Sequence, residues 1–415
     1  MKVYKFGGAS VKDADAIRNI VNILNNDSEN NVVVISALDK TTNKLEMLHK
    51  MYMSSDKNLN NKYNEIREFH FNIIDNLFDG CCSEVNLLIE EIFSNLKDKL
   101  SEEPNNNYDY EYDQIVSFGE LLSTRIISSY LNKHKIKNLW VDIRNVIKTD
   151  DNYCQAEVDY DLSKGLAQQK LNFTGVNTYI TQGFIASTTF GTTTTLGREG
   201  SDYTASVIAS LIGAESVTIW KDVPGILNAD PKKFNDTHVL SKISYKEAVE
   251  LAYSGAKVIH PKTIKPLHNA NINLYVKSFI NPKVTGTIIT HTDTMITSPV
   301  LIVKDNQILL SVSPKDISFV IDDRLNELIS ILDKYKIKAN MIQSSAINFS
   351  VCIDTTYNVH DMINELSDMY NVKYNDNLIL LTVRYYTDEI LHRELSDKII
   401  FMEQRTRSIA RFVIR

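Results

Sequence analysis

The run NVVVIS at residues 31–36 is apolar on both faces of any strand it forms. A half-exposed strand alternates apolar and polar residues, so a run without alternation belongs inside a sheet covered on both sides, the condition of parallel sheets in α/β folds. The residues before it agree. KVYKF (2–6) reads as a strand and DADAIRNIVNIL (13–24) as an amphipathic helix capped by Asp13. Together they make a β-α-β unit, because parallel neighbours need a crossover between them.

The alternation continues. A largely polar helical stretch from about Leu45 to Leu131, broken by SEEPNNNYDYEYD, reads as a helical layer or lid. Strands NLWVDI and VNTYITQGFIAS follow, then a helix over 202–212, strand SVTIW, a helix over 244–253 and strand INLYVKS. Ser244 and Glu247 have capping-box spacing at the start of the 244–253 helix, and Gly255 stops it. The fold expected is α/β, a doubly wound and mostly parallel sheet. From about Ser298 the units shorten. Strand QILLSVS, helix RLNELISILDKY, strands KANMIQ and AINFSVCID, helix VHDMINELSDM and strand NLILLTVRY spell β-α-β-β-α-β, an α+β ferredoxin-like unit. The last segment, KIIFMEQRTRSIARFVIR, holds two more strands behind a short helix, a second and reduced unit. The expected domains are 1–295 and 296–415.

Composition narrows the function. At 415 residues the chain exceeds what one core of about 250–300 residues organises. A net charge of -7, with no face that concentrates lysine and arginine, argues against nucleic-acid and acidic-membrane partners. MKVYKFGG has no apolar signal core and no run of 18 apolar residues occurs, so a cytoplasmic protein is expected. Cys81, Cys82, Cys154 and Cys352 lack CxxC spacing, which fits reduced structural thiols and no metal site of protein ligands.

Open α/β sheets bind ligands in loops after strands. KFGGAS presents Lys5, Gly7 and Gly8 ahead of a helix, which suits a phosphate and equally suits a tight turn. SALDKTTN offers Ser36 and Thr42 hydroxyls, a polar substrate surface or plain turn chemistry. GTTTTLGREGSDYTA reads as a loop of four threonines, then Arg198, a bidentate fork for a carboxylate. Ser201 and Asp202 follow in the first turn of an apolar helix, where Asp202 is a functional acid or simply a helix-start residue. WKDVPGILNADP leaves SVTIW through Lys221 and Asp222, to hold a ribose or to turn the chain. No GxxxxGK[ST], GxGxxG after the first strand, HRD or DFG is present, which excludes ordinary P-loop enzymes and protein kinases.

KFGGAS, SALDKTTN, SFGELLSTRI, TTTLGREGSDYTA, VTIWKDVPGILNADP and YSGAKVIHPKT, in that order, resemble the aspartokinases of the amino-acid kinase superfamily, and the C-terminal part is similar to their tandem ACT regulatory domains. The resemblance implies transfer of the ATP γ-phosphoryl group, with Mg2+, to the side-chain carboxylate of L-aspartate, the first committed step toward lysine, threonine and methionine. Matched motif by motif, it assigns Lys5, Gly7 and Gly8 to the transferring phosphate. It gives Ser36, Thr42, Glu120 and Arg198 to aspartate, with Glu120 on the α-ammonium and Arg198 on a carboxylate. Asp202 would orient Lys5, while Ser201, Lys221, Asp222, Lys232 and Lys257 would serve the phosphates and nucleotide. Asn340, Met341, Ser344 and Ser345 would form an effector site for lysine or threonine, with Asn340 and Ala346 standing where many lysine-sensitive relatives have acids, and the ACT units imply a homodimer or larger homo-oligomer. Six positions depart from the family pattern. Ala9 stands where threonine is usual, Lys40 where glycine is usual, and Leu227 where an aromatic is common. Glu199 stands where glycine is usual, Lys221 where serine or threonine is common, and Lys232 where arginine is common.

Overall fold

The structure, a computed structural model, describes residues 1–25, 29–80, 82–256, 259–292, 296, 298–316 and 324–415. Cys81 and Lys257 lie outside the described residues. The chain forms two compact units, one of Met1–Ile226, Val239–Val249 and Val258–Thr294, the other of Leu227–His238, Glu250–Lys257 and Met295–Arg415.

The first unit opens with β1 (Lys2–Phe6), α1 (Ala14–Asn25) and β2 (Asn31–Ile35). The Asp13 carboxylate accepts from Ala16 N–H at 2.8 Å, the cap expected for α1. The helices α2 (Thr41–Met53), α3 (Leu59–Phe78), α4 (Ser83–Ser101), α5 (Tyr108–Val116) and α6 (Phe118–Lys133) come next. Then follow β3 (Leu139–Val141), β4 (Lys148–Thr149), α7 (Tyr160–Lys170), β5 (Thr178–Gln182), β6 (Ile185–Thr188) and β7 (Thr193–Thr195). The unit is completed by α8 (Gly200–Ile212), β8 (Ser216–Lys221), β9 (Lys242–Ser244), the start of α9 (Tyr245–Ser254), α10 (Pro261–Ala270), β10 (Asn273–Ser278) and β11 (Thr287–Thr290).

Its main sheet has the order β3-β5-β2-β1-β8-β10-β11-β9, parallel from β3 through β10. All five residues of β2 are buried, as a strand covered on both faces requires. On one face Tyr4, Phe6, Val33 and Ile35 share a core with Ile17 and Ile20 of α1, Ile66 and Ile74 of α3, Phe93 of α4 and Ile126 of α6. The 45–131 helices are therefore a structural layer, because their apolar residues complete the sheet's core. On the other face α8 rests on β1, β2 and β8, with α7 and α10 packed against it. From β1 the chain moves outward to β2 and the strands beyond, then returns to place β8 on the other side of β1. The β1/β8 boundary is thus a topological switch point, and ligands bind outside the carboxyl ends of strands there.

The threonine run is not a loop. Thr193–Thr195 form β7, the buried edge strand of a small sheet ordered β4-β6-β7. β-branched threonine suits a strand, and the hydroxyls bond in pairs, Thr149 to Thr194 at 2.7 Å and Thr188 to Thr192 at 2.6 Å.

In the second unit β12 (Val300–Pro314), α11 (Leu325–Lys334), β13 (Ala339–Ser344), β14 (Phe349–Asp354), α12 (Val359–Met369) and β15 (Tyr370–Arg384) give the β-α-β-β-α-β order. Next come α13 (Asp388–Leu395), β16 (Ile400–Arg405) and β17 (Ile409–Ile414). One antiparallel sheet, β13-β14-β12-β15-β17-β16, holds all six strands. The strands β12 and β15 run 15 residues each and serve both halves, so the reading of short separate strands is corrected here. Each contains an Asp-Asn pair that looks like a turn. Asn306 and Asn377 instead take positive φ of 54° and 52°, and β12 continues past its Asn with a shift of register.

Gly183, just after β5, lets the sheet meet α8. A Cβ there would lie 2.8 Å from Ser201 Cα, in backbone rather than a movable side-chain tip. Gly183→Ala is therefore expected to destabilise the protein by about 1–3 kcal/mol, seen as a lower Tm. Gly165→Ala, inside α7 with nothing within 4 Å, should hold or raise Tm. Equal melting of both variants would contradict this packing.

Candidate active site

The carboxyl ends of β1, β2, β5 and β8 surround a cavity of about 560 Å³. Lys5 and Gly8 reach it from β1 and its following turn, Ser36, Ala37 and Asp39 from the loop after β2, Phe184 from the turn after β5, and Lys221 from the end of β8. Thr42 of α2, Glu120 of α6, and Arg198, Ser201 and Asp202 around the start of α8 complete the parts named from sequence. Segments remote in sequence thus meet at the carboxyl edge of the parallel sheet.

At its centre Lys5 Nζ lies 2.7 Å from Asp202 Oδ1, and Lys221 Nζ lies 3.6 Å from Asp202 Oδ2. The Asp202 side chain is only 4 % exposed. Burial disfavours its charged form, but the two ammonium groups outweigh that and hold the carboxyl below its usual range. Gly8 has a steric reason, since a Cβ would sit 2.9 Å from the Asp39 carbonyl oxygen. At Gly7 a Cβ would come 3.0 Å from Lys5 Nζ, against the ammonium itself.

Glu199 adopts φ 54° immediately before α8, a conformation that suits the glycine usual there. Its carboxylate accepts from His260 N–H at 3.0 Å, a tether glycine cannot make. The His260 ring in turn accepts from Lys262 N–H at 3.1 Å and caps α10. Arg198 is exposed, lines the cavity and makes no ion pair among the described residues.

Glu120 is 2 % exposed. One oxygen accepts from Ala37 N–H at 3.2 Å, and the other has no hydrogen-bond partner among the described residues. Burial pushes its carboxyl up to about 8, opposed by the Ala37 bond and by the charge of Lys5.

Not every residue named from sequence converges. Asp222 is exposed on the loop beyond β8 and does not line the cavity. Lys232 belongs to the second unit, where its N–H donates to Asp230 at 2.9 Å. In that unit Asn340 is buried, with both amide hydrogens used on Gln307 (2.8 Å) and Asp354 (3.0 Å) and its oxygen accepting from Lys304 (2.7 Å). Met341 packs in a core with Leu309, Cys352 and Leu380, while Ser344 and Ser345 are exposed at the β13–β14 turn. The cavity also has walls that went unnamed as site residues, Glu46, Tyr112 and Cys154, and Thr195 of the threonine run lines it too. The Tyr112 hydroxyl donates to Glu46 at 2.7 Å, a pairing 66 positions apart that no local motif signals.

The amino acid kinase family matches residues 1–278, well over half the chain, and the chain belongs to that family. Within it the likeness is to aspartokinases. Lysine-sensitive aspartokinase 3 of Escherichia coli is 32% identical over 394 residues, covering 92% of this chain and 86% of that protein. The crystal structure of E. coli aspartokinase III with aspartate and ADP superposes with a TM-score of 0.81 at 29% identity, over 100% of this chain and 96% of the other. A bifunctional aspartokinase/homoserine dehydrogenase of Arabidopsis thaliana is 35% identical over 69% of this chain, which spans about a third of that longer protein (32%).

Glu120→Gln is expected to raise the KM for an amino-acid substrate by about tenfold or more while leaving Tm near that of the parent, because the amide keeps the shape of the protonated acid and its oxygen still accepts from Ala37 N–H. The pH sign follows from the raised carboxyl. The native state holds this proton more tightly than the unfolded chain, so stability contributed here is full below the ordinary carboxylate range and is lost as pH rises through about 8. Binding an ammonium requires the ionised form, so kcat/KM for that substrate should fall as pH drops below about 8 and lose this dependence in the Gln variant. A pH profile shared by both proteins would remove Glu120 from the role.

Proposed function

We propose that the protein transfers the γ-phosphoryl group of ATP to the side-chain carboxylate of L-aspartate, giving 4-phospho-L-aspartate and ADP. The observation that carries the reading is the joining of an anion-binding and a cation-binding pole in one cavity. Lys5, Lys221 and the start of α8 gather positive charge, and the buried Glu120 carboxyl lies within reach of the Lys5 field. L-aspartate carries two carboxylates and one ammonium, and Arg198 with Glu120 answers one of each. The other carboxylate is the nucleophile. It is ionised at neutral pH and needs no general base, so the chemistry asks for alignment and for neutralising charge on the transferring group.

Lys5, oriented by Asp202, meets the transferring phosphoryl oxygens, and Lys221 adds a second positive charge on the far side of Asp202. Gly7 and Gly8 leave room for the phosphates, and Ser36, Thr42 and Ser201 offer hydroxyls to the substrates. A magnesium ion carried by ATP would supply further neutralisation of phosphate charge beside Lys5 and Lys221. The E. coli relative is described as lysine-sensitive, which supports lysine as an effector here. Its action would run through the second unit, and the ACT-like sheet supports a homodimer or larger assembly. Among the described residues no helix is long and apolar enough to cross a membrane. We place the protein in the cytoplasm.

The direct test is ATP- and magnesium-dependent acyl phosphate formation, trapped with hydroxylamine, from L-aspartate and separately from L-glutamate, with lysine or threonine added in parallel. Hydroxamate from aspartate alone is expected, and inhibition by lysine would support the effector. Product from glutamate at a comparable rate would redirect the substrate assignment. Lys5→Ala should lower kcat by about 10²–10³-fold or more in a folded protein. Arg198→Ala should chiefly raise the KM for aspartate, by about 10- to 100-fold. A rise confined to the KM for ATP would put Arg198 on the other substrate.

A further inference from the structure

Two walls of the cavity, Thr195 and Cys154, hang from one buried side chain that does not itself line it. Asp113 of α5 is 0 % exposed. Its Oδ2 accepts from Thr195 N–H at 2.8 Å and from Cys154 N–H at 3.0 Å, and its Oδ1 accepts from the Thr195 hydroxyl at 2.6 Å. The next residue extends the pattern. Gln114 donates to the Thr193 carbonyl at 2.9 Å and accepts from Thr193 N–H at 3.3 Å. The free edge of β7 is thus paired by two side chains of a helix where a sheet would ordinarily supply another strand. Arg198 follows three positions after Thr195. Between them Gly197 takes φ 78° against the Cys154 carbonyl, where a Cβ would meet that oxygen at 3.1 Å. The two chain segments that Asp113 holds therefore touch each other beside the arginine.

We propose that Asp113 is a positioning residue for the aspartate end of the cavity, setting the Thr195–Arg198 segment through Thr195 and Cys154. This rests on the reading that the cavity takes aspartate. Three donors converge on the side chain, so the site asks for an acceptor on each branch or for a branch that can reverse its bond. Alanine leaves two buried N–H groups without partners and frees the edge strand. Asparagine keeps the geometry, with its carbonyl taking both N–H groups and its amide donating to the Thr195 hydroxyl, which turns to point elsewhere. The role is thus one of shape and bonding, and a neutral isostere fulfils it.

Steady-state kinetics of Asp113→Ala and Asp113→Asn separate the possibilities. The alanine variant should raise the KM for aspartate by about tenfold or more with the KM for ATP within about twofold, and the asparagine variant should stay within about threefold of the parent for both. A folded alanine variant with an unchanged KM for aspartate, or with both KM values raised alike, would overturn the assignment. So would an asparagine variant as impaired as alanine, which would make charge the requirement. If Asp113→Ala does not fold, Thr195→Val removes only the hydroxyl bond and should raise the KM for aspartate about threefold with ATP unaffected; no change would be decisive against the proposal. Amide hydrogen exchange reads the tether without turnover. Thr195 and Cys154 should exchange faster in the alanine variant and near the parent rate in the asparagine variant, and unaltered exchange in alanine would show that Asp113 holds neither segment. Parent protein that forms no aspartyl phosphate would sink the kinase reading alone and leave the exchange result standing.

Discussion

A carboxylate almost sealed from water, held between two ammonium groups, organises this protein. Asp202 is stable in its charged form only while Lys5 and Lys221 stay beside it, since a buried charge that loses its partners costs several kcal/mol. That requirement ties together three distant parts of the chain. The strands β1 and β8 are adjacent and parallel, with Phe6 level with Trp220, so Lys5 and Lys221 emerge from the same edge on either side of the switch point. Helix α8 must then bring its first turn over that edge. It can do so because Gly183 and Gly200 leave no Cβ where the Ser201 backbone and the Phe184 ring pass.

The same geometry divides the cavity electrically. Lys5 acts on two acids at once, the charged Asp202 and the proton-holding Glu120, so the site is polarised before any substrate arrives. A ligand with one ammonium and two carboxylates can exchange its hydration for these groups without leaving a buried charge unmatched. Little else is asked of the protein when the nucleophile is already ionised. Rigidity then matters more than acid–base chemistry, and much of the surrounding structure supplies it: the tether of Glu199 to His260, the capping of α10 by the His260 ring, and the side-chain pairing of the β7 edge.

Much of this was legible in the sequence because parallel sheets write themselves in apolar runs and their loops in glycine and charge. The run NVVVIS gave away a covered strand, Asp13 a helix start, and the Ser244 hydroxyl does accept from Glu247 N–H at 3.1 Å, as capping-box spacing implies. Lys5, Ser36, Thr42, Glu120, Arg198, Ser201, Asp202 and Lys221 do meet in one cavity. What escaped notice depends on pairings remote in sequence. Four threonines suggest a loop until one sees that Asp113 and Gln114 cover their edge, and two Asp-Asn pairs suggest turns where long strands continue. Asp222, one position past the end of β8, is exposed and does not line this cavity.

The central claim is that Asp202 acts through Lys5. A double-mutant cycle on kcat with Lys5→Met, Asp202→Asn and the pair combined addresses it most directly. If the carboxylate serves to orient the ammonium, the double variant should lose about as much activity as the Lys5 variant alone, because little remains for Asp202 to orient. Losses that multiply independently would contradict that dependence and leave the two residues acting on different parts of the reaction.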